Sequence, residues 1–253
     1  MNPLMRGAIA VALSLLLGAC VTVGPTGKPT NKKQLVSTLT QLGAGYIARG
    51  EYDVALHELK HALEIDPDDS EANNIMGLLY ARLKDNDRAE HYYRKAISLQ
   101  PDNSDAQNNY GVFLCQRGQL KSAEKHFTAA LSNPLYKTPE LADMNAGVCY
   151  MKGADSLNAE RYFRAALEIN PKLPLALYYM AKIGFDQGQP GLARGYIQRY
   201  FKVAKPSPVP LLLAVRIERA LGHVNAAASY AVSLSGMFPD SPEAQQLRTL
   251  DGG

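Results

Sequence analysis

The feature that most restricts how this chain can fold is a period of 34 residues. Alanines recur at Ala55, Ala89, Ala123, Ala159, Ala193 and Ala227, 34 residues apart at every step but one, which is 36. Gly43, Gly77, Gly111 and Gly147 keep the same beat and show the same two-residue slip. Pro67, Pro101, Pro171 and Pro239 fall at matching places. Self-similarity of this length marks a small unit that cannot bury its apolar face alone, so that neighbours must stack into one continuous core. Period-two alternation is missing throughout, and no sheet is expected.

The residues of the unit resemble the tetratricopeptide repeat. The first unit reads Leu42-Gly43, Tyr46, Ala55, Leu59, Ala62, Pro67, and the second Met76-Gly77, Tyr80, Ala89, Tyr93, Ala96, Pro101. The third and fourth keep Gly111, Ala123, Phe127, Ala130 and Gly147, Ala159, Phe163, Ala166. The fifth keeps Ala181, Ala193 and Ile197, with Tyr200 where a small residue is expected; the sixth keeps Gly222, Ala227 and Pro239. The resemblance implies an all-α, right-handed superhelical solenoid of about six helical hairpins. The units run approximately 36–69, 70–103, 104–137, 140–173, 174–207 and 208–241, within a domain of 36–253. Small residues belong where helices approach closely, and each proline ends a second helix that it cannot continue. Ser241-Pro242-Glu243 opens a C-terminal capping helix, with serine before proline at the first helical position. The extra two residues lie in Asn133–Leu141 and predict a longer loop, a kink in the superhelix being the alternative.

The first twenty residues are an address. Arg6 precedes an uncharged, mostly apolar stretch of secretory length, and small residues mark a cut. Leu17-Gly18-Ala19-Cys20 resembles the bacterial lipobox, which implies removal of residues 1–19 and acylation of Cys20. An ordinary signal peptide with a cysteine near its cut is the alternative. Val21 follows Cys20 in place of the aspartate associated with inner-membrane retention, so the resemblance implies the periplasmic face of the outer membrane. Residues 20–35, rich in Gly, Pro, Thr, Asn and Lys after the lipidated cysteine, read as a flexible tether reaching about 20 Å.

Composition removes several classes of function. A formal charge of +3 with both signs spread along the chain gives no basic stripe for nucleic acid. No apolar run reaches the roughly 18 residues that span a bilayer. There is no Gly-rich phosphate loop, nucleophile elbow or paired C-x-x-C, and neither a cofactor nor a small-molecule substrate is expected. His57-Glu58-Leu59-Lys60-His61 does match H-E-x-x-H, a zinc-protease pattern. It lies inside the second helix of the first repeat, with Leu59 and Ala62 committed to the core and Pro67 where a third histidine would stand. Two solvated histidines, no metal and no enzyme are therefore the expectation, with a zinc protease the minor alternative.

Cys115 and Cys149 fall in the first helices of neighbouring units, and an oxidising compartment favours pairing them. A disulfide is expected, a pair of buried thiols being the alternative. In tetratricopeptide solenoids the first helices line a concave groove. That geometry, carried over here, assigns Thr40, Ala44 and Ile47 to the groove in unit one. Asn74, Leu78, Asn108 and Val112 follow in units two and three, then Met144, Val148 and Met151, and finally Tyr178 and Phe185. This mostly apolar lining with interspersed amides suits an extended or helical peptide.

A lipobox joined to about six such repeats resembles the PilF/PilW family of type IV pilus lipoproteins. The family implies a pilotin that binds the secretin subunit and promotes its outer-membrane localisation and multimerisation, supporting pilus biogenesis and twitching motility. A general periplasmic scaffold lipoprotein for envelope assembly is the other reading of the same features.

Overall fold

A computed structural model describes residues 32–251. Cys20, the signal segment 1–19 and most of the tether lie outside the described residues. Those described form thirteen helices and no strand. The hairpins are α1 (Lys32–Arg49) with α2 (Tyr52–Ile65), α3 (Ser70–Arg82) with α4 (Asn86–Leu99), and α5 (Ser104–Gln116) with α6 (Leu120–Leu131). They continue as α7 (Pro139–Lys152) with α8 (Ser156–Ile169), α9 (Pro174–Asp186) with α10 (Pro190–Val203), and α11 (Pro208–Ala220) with α12 (Val224–Met237). The capping helix α13 spans Pro242–Asp251. Each first helix packs on the first helix of the next hairpin, and each second helix packs on the first helix that follows it. Consecutive second helices make no close backbone approach. The first helices thus form the inner layer of a superhelix and the second helices a spaced outer layer.

Helix contact explains the period. A Cβ placed on Gly43 would lie 2.6 Å from Leu59, and one on Gly147 would lie 2.7 Å from the ring of Phe163. Gly77 and Gly111 meet Tyr93 and Phe127 in the same way. No side chain can stand at these places while a large residue fills the facing one. The fifth hairpin keeps the pattern with Ala181 and Ile197 buried in one cluster, and the sixth exchanges the sizes: Val215 is buried in the cluster against which Ala231 packs. Loss of the glycine signature in the sixth unit is therefore a trade of volume across one contact. Tyr200 is likewise accommodated, buried with its hydroxyl 3.4 Å from Ser207 Oγ.

Local chemistry sets the ends of the helices. Asp69, Asp85, Asn103 and Asp155 accept from the backbone N–H three residues on, capping α3, α4, α5 and α8. Proline occupies the first helical position of α7, α9, α10 and α11 instead. Ser241 Oγ accepts from Ala244 N at 3.1 Å, so α13 opens as its sequence predicts. Pro67, Pro101, Pro171 and Pro239 each follow the C-cap residue of a second helix.

One boundary differs from the sequence reading. The helix α1 begins at Lys32, so residues 32–35 of the expected tether are its first turn. Leu35 is the physical reason, because it packs on the buried cluster of Val36, Leu39, Ala62 and Ala72. The two extra residues make a longer loop: α6 ends at Leu131 and α7 begins at Pro139, leaving residues 132–138 between them.

Candidate functional site: the inner face

The expected groove residues separate into two groups. Thr40, Ile47, Asn74 and Asn108 are buried in the stack and do not line a groove. Thr40 Oγ1 donates back to Val36 O at 2.8 Å, and Ile47 lies in the largest core cluster. Asn74 and Asn108 each accept from an amide of the next hairpin: Asn109 Nδ2 to Asn74 Oδ1 at 3.1 Å, and Asn145 Nδ2 to Asn108 Oδ1 at 3.0 Å. These paired amides join first helix to first helix, which leaves a buried polar group satisfied rather than stranded. Ala44, Leu78, Val112, Met144, Val148, Met151, Tyr178 and Phe185 are half-buried, each resting on the core beneath it.

One register forms the floor of this face. Ala44, Leu78, Val112 and Val148 occupy equivalent places in four successive first helices, and Lys182 and Arg216 occupy that place in the next two. The floor is apolar along α1, α3, α5 and α7 and cationic along α9 and α11. Lys182 is tied to Asp186 at 2.6 Å. Tyr178 and Phe185 continue into a recess of about 180 Å³ between α9, α11 and α13, where Leu212, Arg216 and Glu243 complete the wall. Sequence reasoning stopped short of Leu212 and Arg216. A further 34-residue step from Tyr178 and Lys182 reaches both, so the period itself carried the signal.

Cys115 and Cys149 are bonded, with Cα atoms 5.7 Å apart, and both are buried. The bridge joins α5 to α7, the two inner helices on either side of the long 132–138 loop. Asp143, also on α7, is 7% exposed and lies where Asn73 and Gln107 stand in the preceding first helices. Those amides donate to the carbonyls of Pro67 and Pro101 at 3.0 and 2.9 Å. A carboxylate cannot donate. Burial, with smaller contributions from Glu140 and Glu168, pushes the Asp143 carboxyl up to about 6.

Models of the tetratricopeptide repeat match residues 43–84, 76–137 and 144–173. The type IV pilus assembly protein PilF of Pseudomonas aeruginosa is 27% identical over 247 residues, 96% of this chain and 98% of that one. A solved structure from the functional characterisation of Pseudomonas aeruginosa PilF matches with a TM-score of 0.80 at 27% identity, covering 86% of this chain and 98% of its own. The crystal structure of PilW, described as a widely conserved type IV pilus biogenesis factor, matches with a TM-score of 0.76. Identity to PilW is 34%, over 85% of this chain and 98% of that one. The chain belongs to the PilF/PilW family. It is a tetratricopeptide-repeat protein of type IV pilus biogenesis.

In this PilF/PilW protein the His57–His61 segment is the outer side of α2. His57 and His61 are exposed, Glu58 is half-buried, and Leu59 and Ala62 are fully buried on the opposite side. Among the described residues no three His, Cys, Asp or Glu side chains cluster in a way that could hold a metal ion. No described helix is long and apolar enough to cross a membrane.

Proposed function

We propose that this PilF/PilW-family protein is a lipoprotein of the outer membrane, anchored through acyl chains on Cys20, that holds a secretin subunit on its inner face. In this reading it promotes the localisation and multimerisation of the secretin ring, and catalyses no reaction. The observation that carries the proposal is likeness over 96% of the chain to PilF and 85% to PilW, with 98% of each of those proteins covered. An apolar floor over four hairpins beside a cationic end gives the inner face the character of a peptide-binding surface. More than one acyl chain meets the requirement for stable anchoring.

Deletion of the gene tests the assignment directly: secretin multimers and surface pili are expected to be lost, and their normal presence would overturn it. A Cys20→Ala protein is expected to leave the outer-membrane fraction. The inner face is tested with Leu78→Asp and Val112→Asp, because both are half-buried floor residues. Ile47 is unsuitable, since a charge in the core would unfold the chain. Loss of secretin multimers with helical content and lipidation intact supports the inner face as the binding surface; normal multimers from both folded variants would refute it.

A further inference from the structure

We propose that His57 and His61 form a surface site for a divalent transition-metal ion, Cu²⁺ or Zn²⁺. The two imidazoles stand four residues apart on the outer side of α2, which places their Cβ atoms about 5–6 Å apart and directs both side chains over one turn of helix. Both are exposed, and neither makes a hydrogen bond or ion pair among the described residues. Their lone pairs are therefore not committed within the fold. The backbone beneath them is held by Leu59 and Ala62, each 0% exposed, so the helical spacing exists before any ion arrives. Asp53, four residues before His57, and Glu64, three after His61, bring exposed carboxylates to the same side of the helix. Glu58 and Lys60 are the other charged groups on this stretch, and Lys60 opposes the carboxylates in attracting a cation.

The repeat supplies an internal comparison. His91 takes the place of His57 in α4, but the residue four positions on is Lys95, and in the remaining second helices neither place holds a histidine. Only the first hairpin combines the two. With no third ligand gathered nearby, water fills the remaining coordination positions. The site is a two-imidazole chelate on the outer layer rather than a catalytic cage, and it leaves the inner face clear.

Calorimetric titration of the metal-stripped full chain with copper(II) chloride and zinc chloride tests this. One ion per chain is expected, bound more tightly as Cu²⁺ than as Zn²⁺. His57→Gln and His61→Gln should each weaken it at least about tenfold. His91→Gln should leave it unchanged. Copper should raise the melting temperature of the wild-type chain in a concentration-dependent way, and not that of the double variant. Exposed histidine-to-glutamine changes leave the core untouched, and circular dichroism checks that the variants are folded. Absence of binding, equal affinity in the His57→Gln/His61→Gln double variant, or loss of the site in His91→Gln would overturn the proposal.

Discussion

Six residues make the turn between the two helices of each hairpin, one per hairpin, and all have positive φ: Gly50, Lys84, Gly118, Ala154, Gly188 and Gly222. Four are glycine, for which this conformation is free of Cβ conflict. Lys84 (φ 62°) and Ala154 (φ 58°) hold the same backbone with a side chain attached. Such residues cost roughly 1–2 kcal/mol in the left-handed region. Ala154→Gly is therefore expected to stabilise the chain by about 1 kcal/mol, less than the full strain because glycine also loosens the unfolded chain. Urea unfolding of the two proteins measures it. Asp143 is the second residue whose neighbours disagree with it. Its folded pKa of about 6 lies above the ordinary aspartate value of 3.8, so its favourable contribution is complete below about pH 4 and disappears as pH rises through 6. The difference corresponds to about 3 kcal/mol at most. Asp143→Asn is expected to abolish that dependence and to raise stability at pH 7 by about 1–3 kcal/mol, because an amide can donate where Asn73 and Gln107 donate. Unfolding curves from pH 4 to pH 8 would show the two proteins converging at the acid end.

At the scale of helices, many boundaries could be read because each is written in a few residues: a proline after four of the six second helices, and an acid, amide or proline at the start of most first helices. The start of α1 escaped that reading. Nothing in Lys32–Gln34 carries a periodic signal, and the cluster on which Leu35 packs is completed by Ala72 only once the second hairpin has docked. The cysteine pair was legible as a choice between bond and thiols, since register names neighbouring helices but not their separation. The bond closes a segment with a sequence separation of 34 residues that includes all of α6 and the long loop. Constraining a loop of that size in the unfolded chain contributes about 2–4 kcal/mol. Cys115→Ala/Cys149→Ala is expected to lose that amount while keeping its helical content, which denaturant titration with far-ultraviolet circular dichroism would record. Oxidised and reduced wild-type protein should differ by a similar margin.

Across the whole molecule, the period made the architecture plain, whereas depth within the stack was hidden. Thr40, Asn74 and Asn108 share a place that is buried in the first three hairpins, while Met144 and Tyr178 at the same place are half-buried. The sequence position is identical. What differs is the residue that the following hairpin sets against it: Asn109 and Asn145 reach back to cover Asn74 and Asn108. Burial at such a place belongs to a pair of hairpins, and no single unit of sequence contains it. The floor of Ala44, Leu78, Val112 and Val148 keeps one degree of burial instead, half-buried in each of the first four hairpins.

The bridge between α5 and α7 also decides how the chain would carry load. A solenoid pulled from its two ends lengthens as hairpins peel away, and each freed residue adds at most about 3.3–3.6 Å. With Cys115 bonded to Cys149, the segment between them is shielded from the pull, so α6, the long loop and the first turns of α7 release no length however far the rest is drawn out. The fully stretched oxidised chain should therefore be shorter than the reduced one by about 110–120 Å. Single-molecule extension between Lys32 and Asp251, with and without reductant, would measure that difference. Equal lengths would mean that the middle of the protein has no covalent limit on its extension.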